Sequence, residues 1–541
     1  MLLSSAKSKS FDADVPNWRH LRRLLSMILL LFVGNQPLTK RCLAATNETA
    51  HSIFSDGVVP KFSIEVVEPE ILALRRRPRQ YVHATVRCGA TIYRNVGLHL
   101  KGSTGSFRSI DEKPSFTLDF QRFDAGGKLD GLTKIHLNNS VEDPAYVNEK
   151  IGSELFRAAG LPVARVCRAV VELNGRRLGL YVLIEGFDVE FLEANFQSRN
   201  GTLYEPVGGS DIDGELRLQA GREESAEALR ELRIAIREQD REKQWALLQK
   251  SIDLDSFTTF MALEVLICHR DGYSLARNNF CLYHSPVHKW TFIPHGMDQL
   301  FGIPSLPWNA NFGGLVARAL MENPKGRLAY HSRLSDLAFN IFSVNQMTNR
   351  VNALVEEISS VVQPSELKQI RAEAAHVCER IIARDSSLRT QLRQPVIAPL
   401  MFTQGVAKLS GWHPVDGLSA ASIDKNVADG LPTLHIAAGS DTSASWRTTA
   451  LLNKGIYRFE GLVKISGVVP KAFGQNQGAG LRVINRQTAP FHFVGESNWK
   501  KLEIEFTVDM EGTELALACE LRASGGEAWF QADSLRLIRI Q

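Results

Sequence analysis

After Val33 the chain has no apolar run long enough to cross a bilayer as a helix, which excludes a polytopic helical membrane protein. Cysteine is scarce: Cys42 lies in the leader, and Cys88, Cys167, Cys268, Cys281, Cys378 and Cys519 are dispersed with no CxxC pair. That spacing excludes zinc fingers and ribbons. Most of these cysteines stand in apolar runs (ARVCRAVV, VLICH) and are expected to be buried small hydrophobes. The net charge of +4 over 541 residues is too small for a nucleic-acid coat. No repeat recurs at solenoid spacing. What remains, 44% hydrophobic and 23% charged, is the composition of an ordinary globular protein, long enough for about three units.

The leader carries the first positive signal. Arg19 to Arg23 (RHLRR) precede a short apolar run, Leu24 to Val33, with small residues following at Ala44 and Ala45. This pattern predicts a secretory signal peptide over residues 1–45 and a linker over 46–60. The same run allows an uncleaved signal anchor, and the Arg22-Arg23 pair allows twin-arginine export. The expected location is exported: periplasmic, cell-surface or extracellular.

Residues 61–120 read as β-rich, because YVHATVRCG, NVGLHLKG and PSFTLDF alternate apolar and polar residues between turns. NEKIGSELFRAA (148–159) has helical spacing and stops at Gly160-Leu161-Pro162. Residues 167–185 read as a hairpin turning at Asn174-Gly175. Residues 222–267 and 331–393 read as helical. Composition changes near Pro395, and from about 400 to 541 short alternating strands with Gly turns predict an antiparallel sandwich.

The most informative stretch runs from His269 to Gly302, HRDGYSLARNNFCLYHSPVHKWTFIPHGMDQLFG. It places Asp271, Asn278, Asn279, an aromatic strand and Asp298 within about thirty residues. Phosphoryl transfer from a nucleotide needs such a set: a carboxylate to take a hydroxyl proton, and a carboxylate with an amide to hold Mg²⁺. Upstream, Gly102 and Ser103 open a Gly/Ser turn (KGSTGS) whose backbone N–H groups could approach phosphate oxygens. Lys113 precedes the strand PSFTLDF and could add a point charge. By themselves, most such turns are only turns and most such lysines are solvated surface groups. His269 and His284 are expected to be packing or hydrogen-bonding groups.

In order along the chain stand Lys101-Gly102-Ser103, then Lys113 with Ser115 to Phe120 (SFTLDF), then Lys134 to Ser140 (KIHLNNS). Phe156 to Ala164 (FRAAGLPVA), Asn174-Gly175 with Gly179-Leu180-Tyr181 and Glu185, Gly201 to Tyr204 (GTLY), and the Asp271–Gly302 segment follow. Together they resemble the CotH kinase family, the spore-coat-type atypical kinases, over residues 61–394. The resemblance implies an α+β fold: a two-lobed, divergent protein-kinase-like domain with a β-rich N-lobe and a helical C-lobe. The sandwich of residues 400–541 resembles the jelly-roll of carbohydrate-binding modules. The resemblance further implies ATP and Mg²⁺ (or Mn²⁺) as cofactors, and a secreted or surface protein as phosphate acceptor.

Carried over residue by residue, Asp271 is the implied catalytic carboxylate. Asp298 is the implied metal carboxylate, and Asn278 or Asn279, preferably the latter, the amide ligand. Lys113 neutralises phosphate charge with Glu154 or Glu149 as its partner, and Gly102 and Ser103 border the phosphates. Glu185 either borders the base or forms a strand-edge salt bridge. The chain departs from the pattern where the family has Pro-Trp-Asp-x-Asp, for here Pro294 is followed by His295-Gly296-Met297-Asp298. Imidazole suits softer metals than Mg²⁺. The runner-up reading is therefore a non-catalytic surface-assembly or adhesion scaffold with a glycan-binding sandwich, and a third is nucleotidyl transfer. In the sandwich, Trp446, Tyr457, Trp499 and Trp529 either fill the core or stack on sugar rings.

Overall fold

The first seven strands close on themselves. In the computed structural model they are β1 (Lys61–Glu65), β2 (Val82–Cys88), β3 (Thr91–Lys101), β4 (Ser115–Asp119), β5 (Lys134–Asn138), β6 (Val166–Leu173) and β7 (Arg176–Glu185). Their order is β1-β2-β3-β4-β5-β7-β6, and β1 pairs parallel with β6 to complete a barrel. Closure removes the exposed sheet edges that an open sheet would leave. Phe62, Ile64, Val86, Leu98, Phe116, Leu118, Leu137 and Tyr181 fill its interior. The structure describes residues 52–540 apart from Thr104, Pro395, 417–420, 472–476, 485–491, 510 and 511. The leader read from the sequence, and residues 46–51 of the linker, lie outside the described residues.

The β6–β7 hairpin turns where the sequence predicts. Asn174 and Gly175 both have positive φ (48° and 77°), the conformation that suits a tight hairpin turn. Asn174 is also held across the barrel, accepting from the Val66 N–H and donating to its carbonyl, each at 2.8 Å. Within the stretch read as β-rich, the helix Glu68–Arg76 intervenes between β1 and β2. Pro69 in its first turn and acidic residues at its N-terminal end favour that start. Only Ile71 and Leu74 are buried along it, while Leu72 is exposed, so its hydrophobic pattern is weak.

The helix Asn148–Ala158 links β5 to β6. Beyond β7 a second sheet forms from β8 (Thr202–Pro206), β9 (Leu216–Gly221), β10 (Phe280–Ser285) and β11 (His288–Pro294), in the order β11-β10-β8-β9. Around it pack the helices Ala226–Arg237, Arg241–Ser251 and Leu254–Leu266, as the 222–267 pattern predicts. Further along come Leu315–Glu322, Pro324–Asp336, a π-helical turn Leu337–Ile341, Val344–Glu357 and Pro364–Leu392. The helix Leu254–Leu266 is buried on nearly every side, with Phe257, Phe260, Met261 and Leu263 in the largest core cluster.

One buried cation organises this half. Arg384 has no exposed surface, and its guanidinium donates to the carbonyls of Val265 (2.7 Å), Leu266 (3.2 Å), Pro304 (3.1 Å) and Leu306 (2.6 Å). Two of those carbonyls end the helix Leu254–Leu266, where the helix dipole favours positive charge.

From Val406 onward the chain is a two-sheet, jelly-roll-like sandwich. A seven-stranded sheet holds the strands Leu431–Ala437, Gly455–Val469 and Gly525–Gln531, and a four-stranded sheet holds Thr442–Leu452 and Thr513–Ala523. Ile436, Phe459, Leu481, Leu517 and Phe530 pack between the sheets. Cys167, Cys268, Cys281 and Cys519 are buried thiols, as the sequence predicts, while Cys88 and Cys378 are half-buried. Among the described residues no helix is long and apolar enough to cross a membrane.

Candidate active site

The site forms where β3, the helix Asn148–Ala158 and the open end of the β10–β11 hairpin meet. Pairing of Phe280 with Pro294 sets the hairpin register, so Asn279 and His295 leave it side by side, and the His295 N–H donates to the Asn279 carbonyl at 3.2 Å. The helix Leu254–Leu266 is followed by its C-cap Ile267 and then by Cys268, whose positive φ of 53° reverses the chain and delivers His269, Arg270 and Asp271 to the same place.

Asp271 is tied to both asparagines. Its Oδ2 accepts from Asn278 Nδ2 at 3.0 Å and from Asn279 Nδ2 at 2.9 Å. The loop carrying it is braced from beneath by Glu264, a fully buried carboxylate that accepts from the N–H groups of Tyr273 (2.9 Å) and Ser274 (2.8 Å). His269 is equally buried; its Nε2 lies 3.1 Å from the Gly296 carbonyl oxygen, and its Nδ1 lies 3.5 Å from Glu264 Oε1. Burial pulls the pKa of His269 down, but the Glu264 carboxylate and the Gly296 carbonyl outweigh it and leave the pKa raised. This matches the hydrogen-bonding role expected of His269. Glu264 is not singled out by the sequence reading, where an acid within the apolar run FMALEVL is the available signal.

Asp298 follows two residues after Gly296, and its carbonyl accepts from Asn148 Nδ2 at 2.8 Å. Between them Met297 packs against Gly152; a Cβ at Gly152 would lie 2.6 Å from the methionine sulfur, so glycine lets this loop seat on the helix. Burial, with the nearby charges of Glu142 and Asp271, raises the pKa of Asp298. Glu149, only 4% exposed, is pushed up to about 8 by burial and by Asp298. Asp143, which caps the same helix through the Val147 and Asn148 N–H groups, is pushed up to about 6 by burial. Several acids are thus crowded on one wall.

The lysine facing that wall is Lys101, at the end of β3. Burial lowers its pKa, while Glu149, Glu205 and Asp298 counter the shift through their charges. Lys113, the lysine singled out in the sequence, is placed elsewhere. Its ammonium donates to Tyr146 Oη at 2.7 Å and lies over the rings of Tyr146 and Tyr181 at 5.1 and 5.2 Å. Burial there lowers it to about 8, and its nearby carboxylate is Glu366 of the long helix. Of its two proposed partners, Glu154 points outward to Arg350 (2.6 Å), whereas Glu149 faces the Lys101 side.

Gly102 and Ser103 directly follow Lys101. Gly102 has φ 109°, and a Cβ there would meet the Phe107 backbone at 2.9 Å, so the turn requires glycine. The Ser103 N–H donates to Ser106 Oγ at 3.0 Å, and its carbonyl accepts from the Phe107 N–H at 2.9 Å, which directs both groups into the turn. Thr104 lies outside the described residues. Glu185 is fully engaged: its carboxylate accepts from the Arg165 guanidinium at 2.8 and 3.1 Å and from the Arg165 N–H at 3.0 Å. Its side chain is therefore part of a buried salt bridge, the second of the two roles expected for it.

The donors available to a metal are all oxygens: Asp271, Asp298 and the amides of Asn278 and Asn279. Among the described residues no group of three or more His, Cys, Asp and Glu side chains is arranged to hold a metal ion. A set of two carboxylates with amide oxygen suits Mg²⁺, which keeps several waters and takes further oxygens from phosphates. His295 is a weak contributor, since burial lowers it to about 4 and its ring packs by Phe187. Two surface cavities among the described residues, about 440 Å³ beside Phe339 and Arg389 and about 360 Å³ beside His284 and Trp290, are lined by none of these residues.

In the sandwich, Trp446 and Tyr457 are core residues, 3% and 1% exposed. Trp499 and Trp529 are half-buried: Trp499 Nε1 donates to Asp429 at 2.9 Å, and Trp529 stacks on His435 with centroids 5.1 Å apart.

Residues 98–383, more than half of the chain, match the model of the CotH kinase protein family, and the chain belongs to that family. It is 23% identical over 360 residues to the invasin CotH2 of Rhizopus delemar, covering 58% of this chain and 60% of that protein. It is 24% identical over 291 residues to the inner spore coat protein H of Bacillus subtilis, covering 48% of this chain and 79% of that one. Among solved structures, that of TmCBM61 in complex with β-1,4-galactotriose aligns with a TM-score of 0.19 at 18% identity. It covers 25% of this chain and 92% of that one. A CBM4 structure aligns with a TM-score of 0.18 at 13% identity, covering 24% and 86%.

Proposed function

We propose that this chain is an exported, kinase-like phosphotransferase that moves the γ-phosphate of ATP to a serine or threonine hydroxyl of a secreted or surface protein. In this reading the barrel serves as the N-lobe and the helical half as the C-lobe, with the nucleotide between them. The observation that carries it is the opposition of Lys101 at the barrel rim to Glu149 and Asp298, with Asp271 close enough to Asp298 to raise its pKa. A polyanion carrying a divalent cation neutralises both walls at once. Asp298 and an Asn amide oxygen would hold Mg²⁺ or Mn²⁺, and Lys101 would face phosphate oxygens. Asp271 would orient the acceptor hydroxyl and take its proton as the new O–P bond forms and the bond to the β-phosphate oxygen breaks.

The test uses ATP labelled separately at the γ- or α-phosphate, with Mg²⁺ or Mn²⁺, beside Asp271→Ala and Asp298→Ala. Label from the γ-position, lost in both variants, supports the reading; α-label points to nucleotidyl transfer. Failure of the protein to bind either ATP or metal favours the second reading, a surface-assembly scaffold, which Gly296 supports by its lack of a side chain. In both readings the sandwich would hold the protein to a glycan or partner at the cell surface.

A further inference from the structure

A side chain at position 296 would have to displace the side chain of Asn279. Gly296 has φ 62°, and the space a Cβ would fill is taken by the carboxamide of Asn279: Cγ would lie 2.6 Å away, Oδ1 2.7 Å and Nδ2 2.9 Å. Asn279 itself has a left-handed backbone, φ 49°, a conformation that asparagine tolerates better than most residues and that turns its side chain back over the glycine. Its Nδ2 donates to Asp271 Oδ2 at 2.9 Å and, more weakly, to the Gly296 carbonyl at 3.4 Å. The His295 N–H reaches back to the Asn279 carbonyl, so backbone and side chain both join the two segments. Among the described residues no donor is hydrogen-bonded to Asn279 Oδ1.

We infer that Asn279 and Gly296 are one interlocked unit, in which the Asn279 carboxamide occupies the place of a side chain at 296 and its unclaimed oxygen serves as the amide ligand for a divalent cation beside Asp298. The ligand half rests on the phosphotransferase reading; the interlock does not. It separates the two asparagines: Asn278 only braces Asp271, whereas Asn279 bridges Asp271 to the loop bearing Asp298. Gly296 is a positioning residue in this arrangement. Restoring an aspartate at 296 would expel the carboxamide rather than add a ligand to the existing set.

The experiment compares four full-length proteins: wild type, Gly296→Asp, Asn279→Gly and the double variant. Unfolding without metal or nucleotide reads the interlock, because the backbone strain at 296 is common to both backgrounds and cancels. Gly296→Asp is expected to lower the melting midpoint by roughly 2 °C or more in the wild-type background and by clearly less beside Asn279→Gly. Mn²⁺ binding, followed by electron paramagnetic resonance with and without ATP, reads the ligand. It should weaken roughly tenfold or more in each single variant and recover in the double, whose new carboxylate stands in the vacated space. Equal melting losses in both backgrounds overturn the interlock. Wild-type Mn²⁺ affinity in Asn279→Gly overturns the ligand assignment. Melting coupling with no Mn²⁺ bound by any of the four leaves the interlock standing and overturns the ligand assignment together with the phosphotransferase reading.

Discussion

His269 Nε2 lies 3.1 Å from the carbonyl oxygen of Gly296, and this contact joins the loop that carries Asp271 to the loop that carries Asp298. His269 is fully buried, so its side of the contact is shielded from competing water. Glu264 completes the arrangement from below, so one carboxylate and one imidazole set the relative position of the two acids proposed for chemistry.

Glu264→Gln keeps the shape of that side chain but leaves one of the Tyr273 and Ser274 N–H groups facing an NH₂. A destabilisation of about 2 kcal/mol is expected. Denaturant unfolding measures it; an unchanged midpoint would show that the loop is held by other contacts.

Arg384→Met should cost more, about 4 kcal/mol, because four carbonyls each lose a hydrogen bond together, and those of Leu266 and Pro304 are left without the guanidinium that served them. Arg384→Lys should recover little, since one ammonium cannot span the fork that reaches Val265, Leu266, Pro304 and Leu306. Full recovery by lysine in the same unfolding assay would show that charge alone suffices at this helix end.

The two lysines should separate cleanly in nucleotide binding. Lys101→Met is expected to weaken ATP binding roughly tenfold or more, the loss of one charge-assisted phosphate contact. Lys113→Met, which removes an ammonium held among Tyr146 and Tyr181, should leave it within about threefold. Calorimetric titration of ATP into both variants decides, and the reverse order would return the phosphate role to Lys113.

Glu149 gives a pH signature. Its folded value of about 8 lies above its ordinary 4.5, so between those limits the folded state binds the proton more tightly than the unfolded chain. Its contribution to stability is therefore fully present below about pH 4.5 and lost as pH rises through 8. Glu149→Gln should remove that fall and, near pH 8, stabilise the metal-free protein by on the order of a few kcal/mol. Melting curves from pH 5 to 8 test it: parallel curves for wild type and variant would show that Glu149 does not titrate there.

The acidic part of the site is legible in the chain because it is local. Asp271, Asn278, Asn279 and Asp298 lie on one helix end and one hairpin, and the aromatic strand between them marks the hairpin. The choice between Lys101 and Lys113 is not local. Lys101 pairs across the β3–β4 ladder with Ser115, two residues from Lys113, so the lysines begin as near neighbours. Closure of the barrel and the placement of Tyr146 and Tyr181 send one to the acidic wall and the other into an aromatic pocket. The helix Glu68–Arg76 escapes a reading by periodicity because only Ile71 and Leu74 are buried along it.

The sequence by itself determined the β-rich first part, the helical blocks, the Asn174-Gly175 turn, the sandwich and the clustered acids and amides. These follow from residue periodicity and turn chemistry, which act over a few residues. Tertiary structure decided the rest: that the strands close into a barrel through the parallel β1–β6 pair, that Lys101 rather than Lys113 faces Glu149 and Asp298, that Glu185 is spent on Arg165, and that the Asn279 carboxamide lies where a side chain at Gly296 would go. Each of these depends on which distant side chains share a small buried volume, and burial and Coulomb forces act through space rather than along the chain.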